Sequence, residues 1–188
     1  MPLTTIDPKA ALVVVDLQKG IVSALTDAPV TAAVKQATHL AAEFRRHGLP
    51  VILVNVTGRA PGRTDTGRSA NAFALPADWA DLIDGLDVQP TDHLITKRRR
   101  SAFHDTGLDT LLRDLGVTQV VLTGIATSSG VESTARSASD HGYHVVLATD
   151  AMGDPDLQAH RHSVERVFPK LGETATTAEV IDMVEVTR

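Results

Sequence analysis

The stretch Thr118–Ala151, TQVVLTGIATSSGVESTARSASDHGYHVVLATDA, decides the fold. Val120, Val121 and Leu122 form a short β-branched and aliphatic run, of the kind buried on both faces of a parallel sheet. Gly124 breaks that run. Ser129, followed three residues later by Glu132, fits a capping box with Ser129 at the helix N-cap. Gly142 suits the position just past the helix, where a left-handed backbone is needed. Tyr143–Thr149 is the next strand, closed by Asp150. Strand, helix and strand in this order make a right-handed crossover between parallel strands. The crossover puts Ile125–Gly130 at the carboxyl edge of a sheet, where open α/β folds bind ligands.

The same alternation continues on both sides of this unit. Upstream, Ala10–Val15 is a continuous apolar run closed by Asp16. Val34, Ala37, Leu40, Ala41 and Phe44 recur at helical spacing between Val30 and His47, Gly48 ends that helix, and Val51–Val56 is a second strand. His93–Thr96 is a brief strand ending at Lys97, and Asp105 or Thr106 caps a helix that Gly116 stops after Leu115. Downstream lie a helix over Asp156–Val167, a short strand over Gly172–Ala175 and a last helix over Thr177–Val186. Six strands alternating with helices predict a Rossmann-like, doubly wound parallel sheet in three αβα layers, order 3-2-1-4-5-6. In that order Asp16, Lys97 and the Ile125–Gly130 turn share one rim, and strands 1 and 4 mark the switch point.

The regular pattern lapses over Thr57–Pro90, which holds four glycines, three prolines, Trp79 and three arginines, Arg59, Arg63 and Arg68. A short helix is expected over Asp78–Leu82. A loop of this length inside one domain, here residues 1–188, reads as a lid or an oligomer contact. Phe73, Leu75 and Trp79 give it apolar surface that needs covering, either by a second copy in a homodimer or larger homo-oligomer or by the same chain.

Composition excludes several function classes. The chain has 188 residues, 43% hydrophobic and 22% charged, which suits one globular domain. A net charge of −5 argues against nucleic-acid and anionic-membrane partners. No apolar run approaches the ~18 residues of a spanning helix, and the start lacks a signal-peptide core, so cytoplasmic residence is the expectation. With no cysteine, disulfides, zinc–thiolate sites, iron–sulfur clusters and thiol catalysis are out. His160-Arg161-His162 is spaced i, i+2, so the two rings diverge on a helix. No metal or other cofactor is assigned.

GIATSSGVESTAR resembles the motif G-(V/I)-A-T-x-x-C-V-x-x-T-A-R of the isochorismatase-like hydrolases, the cysteine hydrolase superfamily. Val13-Val14-Val15-Asp16-Leu17-Gln18 resembles the family's first motif, and Lys97 with Ser101-Ala102-Phe103 its second. The resemblance implies this same fold, catalytic roles for Asp16 and Lys97, and no cofactor. Gly130 stands where most members carry the nucleophilic cysteine, so this chain resembles a branch that works without the thiol. It also implies an oxyanion site at the backbone N–H groups of Ala126 and Gly130, and a cis peptide before Ala126. Asn55-Val56-Thr57 stands where the metal-using nicotinamidases carry an acid and histidine ligands. Gln18, Asn55, Arg59, Arg100 and Phe103 are the candidate substrate-binding residues. An arginine pair such as Arg100 with Arg59 or Arg63 suits a carboxylate, held in a two-pronged fork.

Two chemistries remain open without a thiol. As a general acid, Asp16 would protonate an enol-pyruvyl ether, the isochorismatase reaction. As a general base, it would activate water against an amide or ester. Acid duty needs burial to raise the Asp16 pKa against the lowering effect of Lys97. None of the serines near Gly130 has a histidine evidently placed to activate it. A family member that binds a ligand without turnover is the reading from another class.

Overall fold

A computed structural model describes residues 3–25, 27–65 and 75–187. Six strands form one parallel sheet: β1 (Ala10–Val15), β2 (Val51–Val56), β3 (His93–Lys97), β4 (Gln119–Ile125), β5 (His144–Gly153) and β6 (Glu173–Ala175). Their order is β3-β2-β1-β4-β5-β6, as the alternation predicts. The helices are α1 (Lys19–Val22), α2 (Ala28–Arg46), α3 (Leu108–Asp114), α4 (Glu132–Asp140), α5 (Leu157–His162) and α6 (Thr177–Val186).

The continuous apolar strand runs make sense once both sheet faces are covered. Side chains alternate between faces along a strand. Ala10, Leu12 and Val14 of β1 join one core cluster, with Val51, Leu53, Val146 and Ala148. Ala11, Val13 and Val15 join the other, with Ile52, Val54, Leu122 and Leu147. Helix α2 covers the first face with Val30, Ala33, Ala37, Leu40, Ala41 and Phe44, all buried. Leu108, Leu112, Ala135 and Ala138 of α3 and α4 cover the second. Among the described residues no helix is long and apolar enough to cross a membrane.

Local stop signals act where the chemistry requires them. Gly48, Gly116 and Gly142 all have positive φ, at +65°, +69° and +84°, and each follows a helix. Pro29 is tolerated in the first turn of α2, whose N–H groups have no intrahelical acceptor, so the helix starts at Ala28 rather than Val30.

Four expectations need correction. Gly124 does not end its strand: β4 continues to Ile125, with Gly124 at φ +122° and a register shift against β5 between Leu122 and Gly124. A Cβ there would lie 2.0 Å from the Val15 carbonyl oxygen, so only glycine lets β4 approach β1 so closely. Asp150 does not close β5, which runs on to Gly153; its Oδ1 accepts instead from Thr177 N and Oγ1 at 2.7 and 2.9 Å, at the start of α6. The Ser129–Glu132 capping box is absent. A wide turn over Thr127–Val131 leads into α4, and Glu132 takes hydrogen bonds from Arg136 and Ser163 instead. No helix forms over Asp78–Leu82, where the chain makes turns closed by Trp79 N to Pro76 O and Asp81 N to Asp78 O.

Candidate active site

The rim of the sheet at the β1–β4 junction holds the candidate residues. Asp16 leaves β1 with φ +55°, its N–H bonded to Val54 O at 2.9 Å. Lys97, the last residue of β3, is paired with Val56, the last residue of β2. Its Nζ lies 2.7 Å from Asp16 Oδ2 and donates to the Arg100 carbonyl at 2.7 Å. Both residues are buried: Asp16 is 5% exposed and Lys97 1%. Asp16 Oδ1 is buried with no hydrogen-bond partner among the described residues.

Burial pushes the Asp16 carboxyl up from its ordinary 3.8 to about 6, against the charge and hydrogen bond of Lys97, which pull it down. The contest left open by the sequence is therefore won by desolvation. Buried ion pairs contribute little net stability, because removing both charges from water offsets their attraction. This pair needs another reason to exist.

Gly130 sits over the pair. A Cβ there would stand 2.9 Å from Asp16 Oδ2, 3.1 Å from Lys97 Nζ and 3.1 Å from Val15 Cγ1. Ile125–Ala126, just upstream, is a cis peptide. The Ala126 carbonyl accepts from Ser129 N and Val131 N. Thr134 Oγ1 donates to Gly130 O at 2.7 Å and accepts from Ala102 N at 3.1 Å, which ties the segment after Lys97 to α4.

A family model described as the Isochorismatase domain matches residues 10–179. The chain belongs to the isochorismatase family. An uncharacterized isochorismatase family protein of Bacillus subtilis (strain 168) is 39% identical over 182 residues, 94% of this chain and 95% of that protein. Maleamate amidohydrolase of Pseudomonas putida is 28% identical over 182 residues, 92% of this chain and 85% of that protein. The structure of an isochorismatase family protein from Burkholderia thailandensis superposes with a TM-score of 0.89 at 40% identity, covering 96% of this chain and 98% of that one. This is an isochorismatase-family hydrolase.

Within this hydrolase, several candidate substrate contacts have other work. Gln18, wholly buried, donates from Nε2 to Val56 O and Trp79 O at 3.2 and 3.1 Å and accepts from Val56 N at 2.8 Å. Asn55 donates to Ala80 O and accepts from Thr96 Oγ1. Both are clamps that dock the Trp79 segment onto β2. Phe103 belongs to the core, stacked on His141 at 4.9 Å and 6.0 Å from Tyr143 near the start of β5. Arg59 and Arg100 are exposed. Arg99 Nη1 donates to Arg59 O at 3.2 Å, so the two arginine-bearing segments touch. Among the described residues, Arg59, Arg63, Arg98, Arg99 and Arg100 form no ion pair.

Trp79 folds onto its own chain: its indole occupies the space over Gly20, where a Cβ would meet Cδ1 at 1.9 Å. Phe73 and Arg68 lie outside the described residues.

The sequence reading missed one group. His160 Nδ1 lies 2.8 Å from Thr127 Oγ1, on the turn that carries Gly130. Asp154, buried, accepts from both N and Oγ of Ser128 at 2.8 and 2.7 Å. Burial lowers the His160 pKa, with Asp154 opposing. The helical spacing of His160 gives no hint of this partner in a distant turn.

Proposed function

We propose that this hydrolase acts without a covalent intermediate on a small carboxylated substrate, an enol-pyruvyl ether, with Asp16 as proton donor. The supporting observation is the buried Asp16 carboxyl, with Oδ2 held by Lys97, Oδ1 unpartnered among the described residues and a pKa raised to about 6. Asp16 gives its proton to the terminal methylene carbon. Water adds to the resulting oxocarbenium carbon, and one water proton returns to Asp16. The other passes to the ether oxygen as the C–O bond breaks, releasing an alcohol and pyruvate. Gly130 takes the family's nucleophile position, and the N–H groups of Ala126 and Gly130 serve the substrate oxygen. Lys97 faces the substrate carboxylate, and the arginines around Arg100, without an ion pair among the described residues, attract it. The test is pyruvate release from isochorismate. Asp16→Asn abolishes it, and equal rates in the variant overturn the role of Asp16.

A second reading draws on the amidohydrolase relative. Asp16, ionised at neutral pH, activates water against an amide of a small carboxylic acid. A third, loss of catalysis with retained binding, predicts thermal shifts with such acids and no product. The working unit is proposed to be a homodimer or larger homo-oligomer, checked by sedimentation at low concentration, where a monomer-sized species alone refutes it.

A further inference from the structure

Away from the rim, Glu43 and His47 stand one turn apart at the end of α2, and Glu185 faces them from the end of α6. One ligand atom from each of the three lies within 4.8 Å of the other two. His47 Nε2 is buried and has no hydrogen-bond partner among the described residues. An imidazole nitrogen held out of water without a partner costs stability unless something fills the role. Both carboxylates are gripped by Arg46, whose Nη2 lies 2.6 Å from Glu43 Oε2 and 2.9 Å from Glu185 Oε1. The guanidinium brings the two acids together across the helix pair. Its side chain is 54% exposed.

We propose that Glu43, His47 and Glu185 bind a divalent transition-metal ion of the zinc type, which takes the place of Arg46 and joins α6 to α2. One imidazole nitrogen and two carboxylate oxygens suit zinc, with a water completing four ligands. Zinc bonds of about 2.0–2.2 Å require donors a little over about 3 Å apart. Rotation of two glutamate side chains closes that difference without moving either helix. Magnesium, which demands an octahedron of oxygens, does not fit a site with imidazole. His39 Nε2, 3.9 Å from Glu43 Oε1, borders the site on the preceding turn.

The arrangement makes a prediction of opposite signs for adjacent residues. Untagged, metal-free protein is titrated with Zn²⁺ and with Mg²⁺ by calorimetry, and melting temperature is followed in parallel. Zn²⁺ binds one ion per chain and raises Tm; Mg²⁺ does neither. Arg46→Gln tightens Zn²⁺ binding by about tenfold, because a competing positive charge is removed. Glu185→Gln, a substitution at an exposed position, and His47→Ala weaken it by about tenfold or more. Zn²⁺ affinity unchanged in Glu185→Gln and His47→Ala overturns the site, as does weaker binding in Arg46→Gln. Far from Asp16 and Lys97, the ion has no part in the hydrolysis, so this outcome is independent of the reaction proposed above.

Discussion

Lys97 Nζ and Asp16 Oδ2 lie 2.7 Å apart, in the volume a side chain at position 130 would claim. The contact joins the ends of β3 and β1 across the end of β2. With glycine above, the pair closes on itself, and buried Asp16 Oδ1 has no partner among the described residues.

The pH dependence of turnover separates acid from base duty. With Asp16 near 6, acid catalysis requires the protonated form, so kcat/KM falls as pH rises through about 6. Base catalysis gives the reverse, a rise through the same pH. Rates on an enol-pyruvyl ether that climb from pH 5 to pH 7 would remove the proton-donor role.

Stability follows the same titration. A folded-state pKa above the unfolded one means the folded protein binds the proton more tightly. The stabilisation is complete below about pH 4 and is lost as pH rises through about 6, at a cost of roughly 3 kcal/mol. Urea unfolding of wild type and Asp16→Asn at pH 4 and pH 7 measures it. The variant gains on the wild type between the two pH values, and a constant difference would contradict the shift.

Gly130→Ala forces a methyl group against Asp16 Oδ2 at 2.9 Å and Lys97 Nζ at 3.1 Å. Both atoms end side chains that must give way in a buried site, which costs about 1–3 kcal/mol. Turnover drops with it. Denaturant midpoints and pyruvate release report both, and a fully active, equally stable variant would show that the pair yields freely.

Gly20→Ala tests how the Trp79 segment is seated. The new Cβ would fall within the indole, 1.9 Å from Cδ1, so the ring must leave its place on α1. Trp79 is the single tryptophan, so its emission shifts to the red and gains access to quencher. Unchanged emission would mean that the ring is held elsewhere.

The segment 57–90 shows where sequence legibility ended. Its composition marks it as irregular, but nothing in the local pattern says that Gln18 and Asn55 fasten it. Both residues read equally well as substrate contacts, since a polar side chain at or just past the end of a strand serves either purpose. The choice is made by carbonyls of Val56, Trp79 and Ala80 that need donors. Phe103 was similarly ambiguous: next to a site motif in the chain, it turns into the core beside Tyr143.

What the sequence by itself determined is the sheet, its order and the rim. Apolar runs, helix-stopping glycines and the rule of right-handed crossovers act locally or through chain connection, so they survive reading one residue after another. It also delivered Asp16 and Lys97 to the same edge, since each ends a parallel strand. The tertiary structure alone decided that they touch, that burial outweighs the lysine charge, and that His160 reaches Thr127. Those facts depend on side-chain direction and on solvent exclusion by elements far apart in the chain. Neither quantity exists until the layers have packed.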